Sequence, residues 1–209
     1  MRKKIQTFLL LICICIPFVQ TNAQVFGENI RLWTMGYGLG PIYENLGLDL
    51  QASSMLSNLN ISTSGTLYGK VEFSIDAKAG IGLNMSYVKR TYNYNYKVSD
   101  GNNGFLTYWE EDTYSSFSLL LRLNVHSKSN DKLDVFIGTG LGYNPSNYSR
   151  ASDNPNGTSG IGGPRNNNSN SIGFELTFGG RYFISPSLGF YAEVGYSKTI
   201  MQVGISGKF

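Results

Sequence analysis

Large apolar residues alternate with small or polar ones through Ile172-Gly173-Phe174-Glu175-Leu176-Thr177-Phe178-Gly179-Gly180-Arg181-Tyr182-Phe183. A period of two predicts a β-strand with two unlike faces, because successive side chains of a strand point to opposite sides. The same contrast recurs in Leu67 to Ile75, Ile81 to Tyr87, Phe117 to His126, Leu133 to Tyr143, Leu188 to Tyr196 and Met201 to Phe209. An eighth strand is expected in Ile30 to Leu39, where Ile30 and Leu32 favour one face and Trp33, Met35, Tyr37 and Leu39 the other. After the first 23 residues no segment holds a helical period, and none has the run of roughly 18 apolar residues that marks a membrane helix.

The connections alternate in length. Asp76 to Ala79, Ser127 to Asp131 and Ser185-Pro186-Ser187 are short, whereas about Gly40 to Gly65, Val98 to Phe105 and Arg150 to Asn170 are long or polar. Only Ser197 to Thr199 breaks the rule, by being short. Short turns at one end and long loops at the other are the layout of an outer-membrane barrel. The tract from Ala151 to Ser171 is of low complexity and cannot bury a core. In Thr91-Tyr92-Asn93-Tyr94-Asn95-Tyr96 the alternation continues with the aromatic residues now even, which predicts a hairpin arm and a bulge near Lys89 to Thr91.

The amino terminus adds an export signal. Met1-Arg2-Lys3-Lys4 precedes an apolar run from Phe8 to Val19, and Thr21-Asn22-Ala23 precedes Gln24, the layout of a cleavable signal peptide over residues 1–23. An anchor helix would need roughly 20 apolar residues, and Pro17 and Gln20 interrupt the run. A lipoprotein signal would use Cys13 or Cys15, but each follows an isoleucine where a small residue is wanted. Of 17 basic residues three lie in this segment, leaving 14 against 14 acidic ones in residues 24–209, together with no cysteine. That neutrality excludes a nucleic-acid binder. Charged residues make up 15% of the chain, against roughly 25% in soluble domains, too few to coat a surface in water.

The polar strand face decides which side is inside. It is rich in Gly and Ser, with single charges at Lys70, Glu72, Arg122, Asp134, Glu175, Arg181, Glu193 and Lys208. Small residues suit a cramped lumen, so polar-in and apolar-out is favoured over a soluble ligand-carrying barrel. The eight charges sum to zero, as expected if they pair. Glu72, Arg122, Arg181 and Glu193 fall at similar heights, and one hydrogen-bonded ion cluster is predicted there.

Catalytic chemistry is hard to find. The sole histidine, His126, sits at a strand end with no second titratable partner spaced near it, so an ordinary lumenal or interfacial hydrogen bond is expected. No metal-ligand spacing is present, and Gly138-Thr139-Gly140-Leu141-Gly142 lies in a strand pattern with no nucleotide-loop spacing. Glu110-Glu111-Asp112 reads as an acidic patch on an outer hairpin that either solvates the loop or holds surface cations with lipopolysaccharide. No enzyme, cofactor or metal site is expected.

The segments Gly179-Gly180-Arg181-Tyr182-Phe183, Gly189-Phe190-Tyr191-Ala192-Glu193-Val194-Gly195-Tyr196 and Val203-Gly204-Ile205-Ser206-Gly207-Lys208-Phe209 resemble the small outer-membrane barrels of the outer-membrane-protein-A-like or porin-like superfamily, Bacteroidota type. The resemblance implies an all-β, closed, antiparallel, eight-stranded up-and-down transmembrane barrel over residues 24–209, in the bacterial outer membrane. It also implies that Phe209 is read by the barrel-assembly machinery, with periplasmic chaperones, and that the mature partners are outer-membrane lipid and lipopolysaccharide. The expected state is a monomer, and the expected role is structural or through surface interaction. The alternative is a narrow porin-like channel for small solutes.

Overall fold

The computed structural model describes residues 25–41, 56–101, 104–127, 132–156 and 172–209. The expected signal peptide and most of the low-complexity tract lie outside them. Among the described residues there are nine antiparallel strands: β1 (Arg31–Pro41), β2 (Leu56–Ser74), β3 (Ala79–Ser99), β4 (Phe105–His126), β5 (Leu133–Tyr143), β6 (Ser146–Ser152), β7 (Ile172–Phe183), β8 (Leu188–Tyr196) and β9 (Thr199–Lys208). Neighbours in sequence pair throughout except at β6, and β1 pairs with β2 on one side and β9 on the other, so the hydrogen bonding closes into a ring.

The expected count of eight becomes nine because the fifth segment is interrupted. β5 pairs with β4 along Leu119–His126, and β6 pairs with the same strand along Glu110–Ser116. Between them lies Asn144-Pro145, and proline has no N–H to give the ladder. Pro145 still accepts, through its carbonyl, from the Phe117 amide at 3.2 Å.

Strand parity sorts the side chains cleanly. One outward row runs Val71, Leu83, Leu121, Leu141 and Phe174 across five paired strands, with exposures from 37% at Val71 to 61% at Leu141. In β1 the outward set is Met35, Tyr37 and Leu39, while Leu32 and Thr34 are buried. The inward row next to it runs Glu72, Gly82, Arg122, Gly140, Glu175. Charge and glycine alternate across neighbouring strands, and this is what lets long side chains share a narrow interior. A Cβ on Gly138 would overlap the Arg122 guanidinium, and one on Gly179 would overlap the Phe136 ring and Glu193.

Three strands outgrow the rest. β3 has 21 residues and β4 has 22, against nine in β8; at about 3.3 Å per residue they reach roughly 70 Å against roughly 30 Å. The long region of β2 begins at Leu56, so part of the loop expected over Gly40 to Gly65 is strand, and β6 carries order as far as Ser152, into the tract expected to be loop. The result is an arm of β2, β3, β4 and β6 standing beyond the ring.

The bulge expected near Lys89 to Thr91 is not in β3. Its pairing with β4 runs without a shift from Ala79↔Val125 to Ser99↔Phe105. The irregularities are in the pairing of β2 with β3, at Ser57/Asn60 and Thr63/Thr66. Gly65 there has φ +66°, a left-handed value, and lies against the Tyr37 ring. Even residues of β3 therefore face inward all along, and Tyr92, Tyr94 and Tyr96 line the same side as Gly82, Asn84 and Ser86. What changes along the strand is the chemistry of the inner face, not its direction.

The segment before β1 is also structured. Val25 and Phe26 are buried with Leu32 and Phe183 in one apolar cluster, and Ile30 packs against it. Asn29 takes a positive φ of 60°, turning the chain into β1, and the Ile30 amide donates to Ser74 Oγ at 3.0 Å.

Candidate functional site

All eight charges assigned to the lumen from strand parity are buried. Because β2, β4, β5, β7 and β8 each contribute one or two of them, the ring closure itself brings them together. Seven of them form two ion-pair groups. In the first, Arg122 Nη1 donates to Glu175 Oε1 at 2.9 Å and Nη2 to Glu193 Oε2 at 3.1 Å, while Lys70 Nζ donates to the same Glu193 oxygen at 2.7 Å. Asn84 Nδ2 donates to Glu175 Oε2 at 2.6 Å. In the second, Arg181 Nη2 donates to Glu72 Oε2 at 2.5 Å and Nη1 to Asp134 Oδ2 at 3.0 Å.

Of the four residues expected to meet in one cluster, Arg122 joins Glu193 and Arg181 joins Glu72. Asn124 stands between the groups, accepting from Arg122 Nε at 2.7 Å and lying beside the Glu72 carboxylate. Phe136 also bridges them, with Arg181 Cζ 4.3 Å and Arg122 Cζ 5.8 Å from its ring centroid. Lys208 lies over the Phe183 ring at 5.0 Å.

His126 makes the lumenal hydrogen bonds expected of it, but to titratable partners that the sequence spacing did not show. Two carboxylates flank its ring: Nδ1 is 2.8 Å from Asp134 Oδ1 and Nε2 is 2.7 Å from Glu72 Oε1. A neutral imidazole has one N–H, so serving both acceptors takes a second proton shared among the three groups. Phe26 stacks on the ring with centroids 3.4 Å apart and planes 7° from parallel, and Phe136 packs beside it at 5.5 Å. His126 is thus a full member of the charged column. Its partners lie 54 and eight residues away in sequence, and only the ring register brings them to it.

The acidic patch reads differently as well. Glu110 and Asp112 are buried on the inner face of the arm, and Arg150 Nε lies 2.7 Å from Glu110 Oε1 and 2.6 Å from Asp112 Oδ1. Tyr94 donates to Asp112 Oδ2 at 2.9 Å, and Tyr148 donates to Asp112 Oδ1. Burial pushes both phenols above their ordinary range, and the Asp112 charge pushes them further. These residues hold the arm together as a second polar core, not a solvated patch.

Small cavities among the described residues include two in the interior, each lined by polar side chains. One is lined by Thr34, Lys70, Glu72, Arg122, Asn124 and Arg181, within the charged column. The other, lined by Ser86, Ser118, Leu120, Asn144, Ser197 and Lys198 among others, lies beyond Glu175 toward the arm. Lys198 was not foreseen, because it occupies a two-residue turn where strand parity says nothing.

At the seam, Phe209 donates its amide to Arg31 O at 3.1 Å, and its ring meets Phe73 edge-on at 6.4 Å.

No protein-family model matches the chain, and no curated protein matches it. Among solved structures it is similar to a de novo designed transmembrane β-barrel, at 13% identity and a TM-score of 0.43 over 89% of this chain and 99% of that one. It is also similar to Ail, the attachment invasion locus protein of Yersinia pestis, in complex with the heparin analogue sucrose octasulfate, at 12% identity and a TM-score of 0.42 over 87% and 99%. At TM-scores below 0.5 these likenesses decide nothing about function.

Proposed function

We propose that this chain is an outer-membrane β-barrel of eight strands, counting β5 and β6 as one interrupted strand, that serves the envelope structurally and meets partners through its arm. The observation that carries the reading is the inversion of its faces. Apolar rows such as Val71 to Phe174 stand exposed while ten Lys, Arg, His, Asp and Glu side chains, including Arg122, Arg181 and Glu193, are buried among the described residues of the ring. Contiguous exposed apolar surface of this extent is costly in water and is satisfied by lipid. A transmembrane strand needs about 9–11 residues, which matches the nine of β8 and the 10 of β9.

The reading extends to biogenesis and topology. Residues 1–23 direct export, Phe209 engages the assembly machinery, both chain ends face the periplasm, and the arm projects outward among lipopolysaccharide. Side chains fill the lumen, as an eight-stranded barrel requires, and the gaps beside the charged column among the described residues are water-sized, which supports a closed barrel over a porin-like path.

The test is fractionation of the producing cell with gel mobility before and after heating. A heat-modifiable band in the outer-membrane fraction is the expected result. Recovery of the protein in a soluble periplasmic extract would overturn the assignment, and reproducible conductance steps in planar bilayers would overturn the closed lumen.

A further inference from the structure

Lys198 is a buried positive charge of the interior that belongs to neither of the two ion-pair groups. It is 6% exposed, and among the described residues no carboxylate makes an ion pair with it. Its ammonium donates to two neutral acceptors, Ser116 Oγ and Asn144 Oδ1, each at 2.6 Å. Asn144 Oδ1 is also the acceptor for Ser118 Oγ at 2.7 Å and Ser116 Oγ at 3.2 Å, so its lone pairs are spent. An ammonium has three N–H groups, which leaves one for the cavity that Lys198 lines.

The rest of that cavity also offers donors. Ser86, which is buried, lines it and brings a hydroxyl. Ser118 and Ser197 line it too, and Ser197 Oγ donates toward Glu175 Oε2 at the long distance of 3.4 Å. No carboxylate lines it. The carboxylates of the lumen are held by cations already: Glu175 by Arg122, Glu193 by Arg122 and Lys70. A buried ammonium with only dipolar partners is expensive, and a counter-charge placed against it removes most of that cost.

We propose that this cavity is a binding site for a small monovalent inorganic anion of the halide class, held between Lys198 Nζ and the Ser86 hydroxyl. The gap of about 10 Å³ is on the scale of a single water, which favours a monatomic anion over phosphate, sulfate and carboxylate ligands. The break in the fifth strand builds the site: Asn144, just before Pro145, turns its side chain inward and fixes the ammonium, and the two-residue turn between β8 and β9 carries Lys198 into place. The inference stands apart from the membrane reading, since it uses only interior geometry.

The experiment uses the whole mature protein refolded in detergent micelles. Thermal unfolding midpoints are compared in sodium chloride and sodium gluconate at equal ionic strength, and crystals grown in bromide are examined for anomalous scattering. Chloride should raise the midpoint, and a bromide peak should lie within hydrogen-bonding distance of Lys198 Nζ. Lys198→Met should abolish the chloride dependence, Lys97→Met on the exposed arm should leave it unchanged, and Ser86→Ala should weaken half-saturation by roughly tenfold. If Lys198→Met does not fold, the bromide map of the unaltered protein decides. Equal midpoints in the two salts, or no bromide peak beside Nζ, would overturn the site and leave a water in its place.

Discussion

Arg181 shows what a single side chain does in this interior. It is fully enclosed, bonds Glu72 and Asp134 through separate nitrogens, and lies against the Phe136 ring. Removing it leaves two buried carboxylates with His126 as their remaining partner. Arg181→Met is expected to destabilise the folded protein by about 3–5 kcal/mol, the cost of stranding a buried charge, measured as a shift of the urea midpoint in micelles. Adding Glu72→Gln should recover part of the loss. A single-variant loss below about 1 kcal/mol would show that the column is solvated rather than desolvated. Eight of the buried charges were legible in the sequence, because parity along a strand assigns each residue a face. Their partners were not, since Asn124, Phe136 and His126 meet them only through the register between strands, which parity does not give. The same gap explains Glu110 and Asp112, whose partner Arg150 comes from β6.

At the scale of elements, the strands followed from the alternation, but their lengths did not. Tyr92, Tyr94 and Tyr96 continue the inward face of β3 with a different chemistry, so a change of residue type looked like a change of direction. The interruption at Asn144-Pro145 was visible only as a proline near an expected strand end. Val25 and Phe26 lie too close to the expected cleavage site for any periodicity to register. Their segment nevertheless packs over the ring end, with Phe26 flat on His126 and Val25 beside Leu32 and Phe183. Phe26→Ala should cost about 3 kcal/mol, the lower range for removing a buried ring because its segment, ahead of β1, takes part in no strand. It should also open His126 to acylation by diethylpyrocarbonate at a rate well above that of the unaltered protein. Unchanged labelling would mean that the amino-terminal segment does not cover the ring.

On the scale of the whole molecule, the ring and the arm are separable. Every pairing that closes the ring lies on one side of the Arg90↔Tyr114 pair: β1 meets β2 through Arg31–Gly38, β5 meets β4 through Leu119–His126, and β9 meets β1 through Leu32–Pro41. The charged column lies there too, whereas Tyr94, Tyr148, Glu110, Asp112 and Arg150 form a polar core belonging to the arm alone. Exposed Phe105, Leu106 and Trp109 near its tip are the side chains a partner would meet first. A variant in which Thr91–Thr113 is replaced by an Asn-Gly turn keeps Arg90 opposite Tyr114, and such a two-residue link matches the twist of paired strands. It should still enter the outer membrane and still shift on a gel when heated, because no ring pair and no member of the charged column is removed. Binding of the protein-bearing cell to any surface it recognises should fall with the arm, while heat-modifiability stays. Loss of heat-modifiability together with the arm would instead show that ring and arm fold as one unit, with the tyrosine-lined inner face of β3 acting as a continuation of the lumen core.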